Sequence, residues 1–300
     1  MKEKKRGYWG PVAVFLGLQF CGSGSVAASC QDARGLIPDP ALLSDYSGFY
    51  VGGDACFYDP TGIRLGEVPP ALGPSGDTGQ RLIFVNGANP KIEREPEFLR
   101  LLAEARDLPA VGILNTQTSD DPFSAPRIHG TSAVKTLESV MRDGLKHNRE
   151  VLIRAGSAGA SVVAIAIGRT KASWTVRHPR PYKLDKILRA IKVETFGGVN
   201  PFYPDGPSYV HYANLLDPNA QKFGVLNPLN KPGQGAVIAV FRDTMPPLEA
   251  PYEPLTEKDN HILSHHGFGV YNAHQMDFDR AYRFSPSHLY IIAPLAILAR

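Results

Sequence analysis

The sequence predicts an α/β fold, a mostly parallel sheet with helices on both faces, and three observations carry that expectation. Leu82–Ile83–Phe84–Val85 is a continuous apolar run, the pattern of a strand covered on both sides. Apolar residues then recur at helical spacing among charged ones at Phe98, Leu101, Leu102 and Ala105, and again at Val134, Leu137, Met141 and Leu145. Strand-like and helix-like segments alternate from Arg81 onward, and a right-handed crossover is the connection such alternation needs.

The chain starts with a charged hexapeptide, MKEKKR, followed by the uncharged stretch Gly7–Ala28. With the apolar run Val12–Leu18 and the small residues Val26 and Ala28 it has the layout of a secretory signal peptide cleaved before Ser29. Two other readings stay open. Ala27–Ala28–Ser29–Cys30 weakly resembles a lipobox that would place a lipid on Cys30, and an uncleaved anchor would need a longer apolar run. A secreted, periplasmic or envelope location is expected.

The hexapeptide carries four positive charges and one negative, and so holds the whole formal net charge of +3. The remainder is formally neutral, which argues against a nucleic-acid footprint despite the pI of 8.7. The three cysteines are Cys21, Cys30 and Cys56. They have no metal-ligand spacing, and Cys30 and Cys56 could pair in an oxidising compartment once the signal is removed.

Residues 29–80 read as an N-terminal extension of loops with one hairpin, Phe49–Val51 against Ala55–Tyr58, and a loop over Gly66–Gly79. Residues 81–300 read as the main domain. Its strands are expected at Leu82–Val85, Ala110–Leu114, Val151 onward, Lys192–Phe196, Tyr209–Leu216 and Gly235–Phe241, with Ile187–Ile191 in a helix.

The stretch Val151–Ile167 carries the chemistry. A short strand meets Ala155, Gly156, Ser157, Ala158 and Gly159, then a run with almost no polar residue. Small residues of this kind let a strand pass to a helix in one sharp turn, which lifts the serine oxygen out at the end of the sheet. Ser157 is therefore the candidate nucleophile. The following helix start directs the N–H of Ala158 at a developing oxyanion, and the loop Asn86–Asn89 can bring Gly87 as a second donor. A phosphate cradle on Gly156 and Gly159 lacks a third glycine at the usual spacing and a Walker lysine.

A serine hydroxyl needs a base, and the base an acid that fixes its tautomer. Asp217 follows a late strand and is the preferred acid, with Asp205 and Asp243 as alternatives; a strand-end Asp before Pro218 also suits a plain turn. Four of the nine histidines crowd into His261–His274. His266 is the preferred base, then His274, then His265. His261 and His265 stand four apart with no glutamate after the first, so the zinc-protease motif is absent, and neither metal nor organic cofactor is expected.

Three stretches, EVLIRAGSAGAS, IKVETFGGVNP followed by YVHYANLLDPNAQKFG, and HHGFGVY, resemble bacterial lipase-like and esterase-like serine hydrolases of the α/β-hydrolase fold, including secreted effector types. The resemblance runs from about Arg81 to Phe284. It rests on Phe196 and Gly197 at a strand end, on Asn214, Asp217 and Pro218 around the acid, and on His266, Phe268 and Tyr271 around the base. It departs at Ala155, where a glycine is usual, and at Gly156, where a larger side chain is usual.

The resemblance implies an α/β-hydrolase-like fold and a Ser157–His266–Asp217 triad acting on a carboxylic ester, with a lipid or acyl substrate favoured. The alternative is a non-catalytic exported binding protein on the same scaffold. The apolar tail His288–Ala299 is too short to span a bilayer. It reads as a last core element or as a patch that touches a membrane surface.

Overall fold

The computed structural model describes residues 30, 34–88, 90, 92–117, 131–177, 181–242 and 271. They form an eight-stranded sheet in the order β2-β1-β4-β3-β5-β6-β7-β8. The strands are β1 (Tyr50–Val51), β2 (Phe57–Tyr58), β3 (Leu82–Val85), β4 (Ala110–Ile113), β5 (Val151–Gly156), β6 (Ile191–Phe196), β7 (Ser208–Asn214) and β8 (Val237–Phe241). From β4 to β8 every neighbouring pair is parallel, while β1 runs antiparallel to both β2 and β4. The α/β-hydrolase-like architecture expected from the sequence is the one observed, and the hairpin of the N-terminal stretch is built into the same sheet.

Helices cover both faces, and side-chain alternation along the strands decides which residue meets which layer. Ile83, Val85, Ile153 and Ala155 point to one face, where α2 (Ser132–Lys146) and α3 (Gly159–Arg177) bury Val134, Leu137, Met141, Val163 and Ile167. Leu82, Phe84 and Leu152 point to the other, where α1 (Glu95–Arg106) buries Leu99, Leu102 and Ala103. The helices begin and end where their sequence provides for it. Thr131 caps α2 by accepting the Val134 N–H at 3.3 Å, and α1 ends at Asp107, which adopts the left-handed conformation at φ 51°. Gly144 lets α2 lie on β5, since a Cβ there would stand 2.4 Å from Val151 Cγ2.

Two element boundaries differ from expectation. The helix α4 covers Pro181–Leu188, and Ile191 opens β6 as the partner of Val151. The strand expected to run to Leu216 stops at Asn214. There the Leu216 N–H donates to Asn214 Oδ1 at 3.1 Å and the Asp217 N–H to the Asn214 carbonyl at 3.0 Å, which turns the chain. Asp217 then caps the short helix α5 (Pro218–Lys222).

Two covalent or charged devices stand out. Cys30 and Cys56, both fully buried, form a disulfide that ties the N-terminal stretch to the start of β2. Arg154, fully buried in the otherwise apolar β5, faces its cross-strand partner Glu194 on β6, and its Nε donates to Glu194 Oε2 at 2.6 Å. Arg106 from the end of α1 donates to the other oxygen of the same carboxylate. One glutamate thus serves two guanidinium groups in the interior.

Candidate active site

The turn between β5 and α3 has the geometry that the sequence suggested. Ser157 has φ +46°, a conformation that side chains rarely adopt and that persists only where the surroundings impose it. The surroundings here are hydrogen bonds on both sides of the residue. The Ser157 N–H donates to the Phe196 carbonyl at 3.0 Å, and the Ser157 carbonyl accepts the N–H groups of Ala160 and Val199, both at 3.1 Å. The end of β6 therefore holds the serine in its strained conformation.

The glycines beside it are not equivalent. A Cβ on Gly159 would lie 2.4 Å from the Val85 carbonyl oxygen and 2.5 Å from that of Asn86, so only glycine lets α3 start this close to β3. A Cβ on Gly156 would meet nothing within 4 Å among the described residues. Among the described residues, then, crowding imposes glycine after the serine, at Gly159, and not before it, at Gly156. Ala155 and Ala158 are buried.

Gly87 lies against the serine. A Cβ built there would stand 3.1 Å from Ser157 Cβ and 3.8 Å from Ser157 Oγ. Among the described residues, neither the Gly87 N–H nor the Ala158 N–H donates a hydrogen bond. Two backbone donors thus remain available beside a serine hydroxyl, and the Ala158 donor sits at the start of a 19-residue helix.

Asp217 stands on the same edge of the sheet. Ser157 follows β5 and Asp217 follows β7, with β6 between them and all three strands parallel. Two inter-strand spacings separate the strands by roughly 10 Å. The carboxylate is fully buried. Its Oδ1 accepts the Asn219 N–H at 2.9 Å and its Oδ2 the Tyr271 hydroxyl at 2.6 Å.

Tyr271 is itself fully buried, packed against Phe241 with ring centroids 5.2 Å apart and against Phe196 at 6.5 Å. Burial, reinforced by the Asp217 charge, pushes the Tyr271 phenol far above its ordinary range, so it stays a proton donor to the carboxylate. Phe196 therefore touches both halves of the site, holding the serine by its carbonyl and the tyrosine by its ring.

The three candidate bases, His265, His266 and His274, lie outside the described residues, as do Asp243 and the tail 288–299. Asp205 belongs to the opposite edge: it precedes β7 and its Oδ1 accepts the Gln234 N–H at 2.7 Å, ahead of β8. It is not placed to serve Ser157.

His211, in the middle of β7, is fully buried. Its Nε2 is 2.8 Å from the Pro232 carbonyl, to which it donates, and its Nδ1 accepts the Thr195 hydroxyl at 2.8 Å. Burial holds its imidazole down at about 4, against the opposing pull of the Pro232 carbonyl. Both ring nitrogens are engaged, so it is a structural histidine.

A cavity of about 180 Å³ lies between the C-terminal end of α1 and the first halves of β3, β5, β6 and β7, lined by Leu82, Leu108, Leu152, Lys192 and Val210. It lies along the first halves of these strands, away from Ser157, and is no part of this site.

Asn86 and Asn115, which no local sequence pattern marks as functional, are both buried and bonded to each other's backbone at the ends of β3 and β4. An asparagine directly after an apolar strand reads as a turn residue; only its partner in space shows otherwise.

No protein-family model matches the sequence, and a search of curated proteins finds no relative. Among solved structures, the chain is similar to the thermophilic carboxylesterase EstE1, cloned from a metagenomic library. The TM-score is 0.41 and the identity 11%, covering 89% of this chain and 97% of that one. It is also similar to an alpha-beta serine hydrolase homologue from Coxiella burnetii, with a TM-score of 0.32 and 12% identity, covering 69% of this chain and 84% of that one.

Proposed function

We propose that this chain is an exported serine hydrolase that cleaves a carboxylic ester, with a lipid or acyl ester as its substrate class. The observation that carries the reading is Ser157 at φ +46° between β5 and α3, with Gly87 pressed against it. In this mechanism Ser157 Oγ attacks the acyl carbon while His266 takes the hydroxyl proton. The proton then passes to the departing alkoxide, leaving an acyl-enzyme that water hydrolyses by the same route. His274 and His265 are the alternative bases.

Asp217 orients the imidazole and stabilises its charged form. Its burial, its place on the serine's edge of the sheet and its bond from Tyr271 support that role. The N–H groups of Gly87 and Ala158 receive the oxyanion, and their freedom from other acceptors among the described residues supports the assignment.

The Cys30–Cys56 disulfide supports export through a cleaved signal peptide. Such bonds persist in oxidising compartments, and this one occupies the thiol that a lipid would modify. The lipid preference rests on the resemblance of the stretches around Ser157, Asp217 and His266 to lipase-like and esterase-like hydrolases.

A fluorophosphonate probe tests the central claim. It labels the wild-type protein and not Ser157→Ala, whereas a well-folded wild type that stays unlabelled leaves only the binding-scaffold alternative. Replacing His266, His274 and His265 in turn identifies the base. Chromogenic esters of graded acyl length, with and without liposomes and with residues 289–300 deleted, report substrate class and membrane contact.

A further inference from the structure

At the end of β3 the side chain of Asn86 folds back onto backbone. Its Oδ1 accepts the N–H of Asn115 at 2.7 Å, and its Nδ2 donates to the carbonyls of Asn115 and Gly87, each at 2.7 Å. The last backbone pair of the two strands is Val85 with Ile113, so the Asn86 amide extends the β3–β4 pairing beyond the point where the backbone leaves it. Asn115 answers at longer range, with its Nδ2 3.5 Å from the carbonyls of Asn86 and Gly87. Asn86 and Asn115 are only 4% and 1% exposed, so this amide pair works in a low-dielectric setting where an unmade bond is costly.

The pair fixes direction. In a trans peptide the carbonyl and the N–H point opposite ways, and no described peptide is cis. The carbonyls of Asn86 and Gly87 are drawn to the asparagine amides. The N–H groups that share their peptide planes, those of Gly87 and Ala88, are therefore turned away from the pair. Neither donates to a described acceptor, and Gly87 is the residue that lies against Ser157. Donors held in place before the substrate arrives need no reorganisation when charge develops.

We propose that Asn86 and Asn115 are positioning residues of the oxyanion site: Asn86 Nδ2 holds the Gly87 carbonyl and thereby turns the Ala88 N–H, Asn115 Nδ2 holds the Asn86 carbonyl and thereby turns the Gly87 N–H, and the loop so presents both N–H groups to the ester carbonyl attacked by Ser157. The proposal rests on the serine-hydrolase reading. It assigns the donor half of the Asn86 amide a catalytic consequence and leaves the acceptor half, which satisfies the Asn115 N–H, a structural one.

Asn86→Asp separates the two halves, because it keeps the acceptor and loses the donor. Asn115→Ala is the second variant; it keeps the backbone groups that Asn86 bonds and removes the longer contacts, together with the 3.4 Å bond that Asn115 Oδ1 accepts from the Gln117 N–H. The measurements are kcat and KM on a p-nitrophenyl ester, normalised to the fluorophosphonate-labelled fraction, and inhibition by a trifluoromethyl ketone that forms a tetrahedral adduct.

For Asn86→Asp, kcat per labelled serine is expected to fall roughly 10- to 100-fold, short of the loss of a whole donor. For Asn115→Ala it falls roughly fivefold, in proportion to the longer contacts it removes. KM stays within about twofold, and the ketone's inhibition constant rises by the same factor as kcat falls. If Asn86→Asp does not fold, Asn115→Ala decides alone. Normal kcat per labelled serine in the folded variants overturns the positioning role while the wild type still labels and turns over. An unlabelled, inactive wild type defeats the hydrolase reading first, and this proposal with it.

Discussion

The Tyr271 hydroxyl donates to Asp217 Oδ2 at 2.6 Å while the Asn214 N–H donates to the same hydroxyl at 3.3 Å, so the end of β7 and a residue 57 positions further on are bonded through one oxygen. Tyr271→Phe removes both bonds and keeps the ring. It is expected to lower stability by about 1–2 kcal/mol, the range for leaving a buried polar group short of a partner. Urea denaturation measures it.

Asp217 has two roles that one substitution can separate. Asparagine caps a helix as well as aspartate does, so Asp217→Asn preserves the bond from the Asn219 N–H at the start of α5. If the carboxylate also orients a catalytic histidine, kcat falls by about 10³- to 10⁴-fold, while stability falls by no more than the about 1–2 kcal/mol expected for losing the Tyr271 bond, since the amide nitrogen cannot accept that hydroxyl. Activity within a few-fold of wild type would show a purely structural residue, a helix cap and the acceptor of the Tyr271 hydroxyl.

Gly156 and Gly159 flank the serine and predict opposite results. Gly159→Ala drives a methyl group to 2.4 Å from a backbone oxygen and is expected to cost at least about 1–3 kcal/mol, with loss of fluorophosphonate labelling as the turn shifts. Gly156→Ala meets nothing within 4 Å among the described residues and is expected to stay within about 0.5 kcal/mol of wild type. Equal effects would contradict the geometry of the turn.

Glu194 neutralises Arg154 in the interior, with Arg106 on its other oxygen. Glu194→Gln leaves the fully buried guanidinium of Arg154 without a counter-charge and is expected to destabilise by about 3–5 kcal/mol. Denaturant unfolding of the variant checks it, and a change under about 1 kcal/mol would mean that the pair contributes little.

Stability also depends on pH through two buried groups with opposite signs. Burial holds His211 at about 4, below its usual 6.5, so the unfolded chain binds a proton there that the folded one refuses. The contribution of His211 is present above pH 6.5 and is lost as pH falls towards 4, by about 3 kcal/mol. Glu95 is raised from 4.5 to about 8 by burial, with Glu93 adding to it. Its contribution is full below pH 4.5 and is lost as pH rises towards 8, by at most about 5 kcal/mol. From these two groups the thermal midpoint should be level between about pH 4.5 and 6.5, where the slopes oppose, and fall towards pH 8. Glu95→Gln should abolish the fall above pH 6.5; if the decline persists in this variant, Glu95 is not its source.

Much of the architecture was legible in the chain. Leu82–Val85 and Val151–Ala155 are strands because continuous apolar runs suit a sheet covered on both faces, and the stripe at Val134, Leu137 and Met141 reads as a helix by its period. The turn at Ser157 was legible for the same local reason: small residues at fixed offsets signal close backbone approach. Boundaries were read less well, because the end of β7 is set by a side-chain bond from Asn214 rather than by any change in hydrophobicity.

By itself, then, the sequence determined what depends on neighbours along the chain: the alternation of strand and helix, and a serine in a tight turn. Tertiary structure decided what depends on neighbours in space. It separated Gly159, which meets the carbonyls of Val85 and Asn86, from Gly156, which meets nothing among the described residues. It set Arg154 opposite Glu194 across two strands and placed Asn86 against Asn115. It also set Asp217 on the serine's edge while sending Asp205 to the other. The physical reason is range: backbone sterics and periodicity act over a few residues, whereas desolvation, ion pairing and hydrogen-bond satisfaction are fixed only when strands distant in sequence come together.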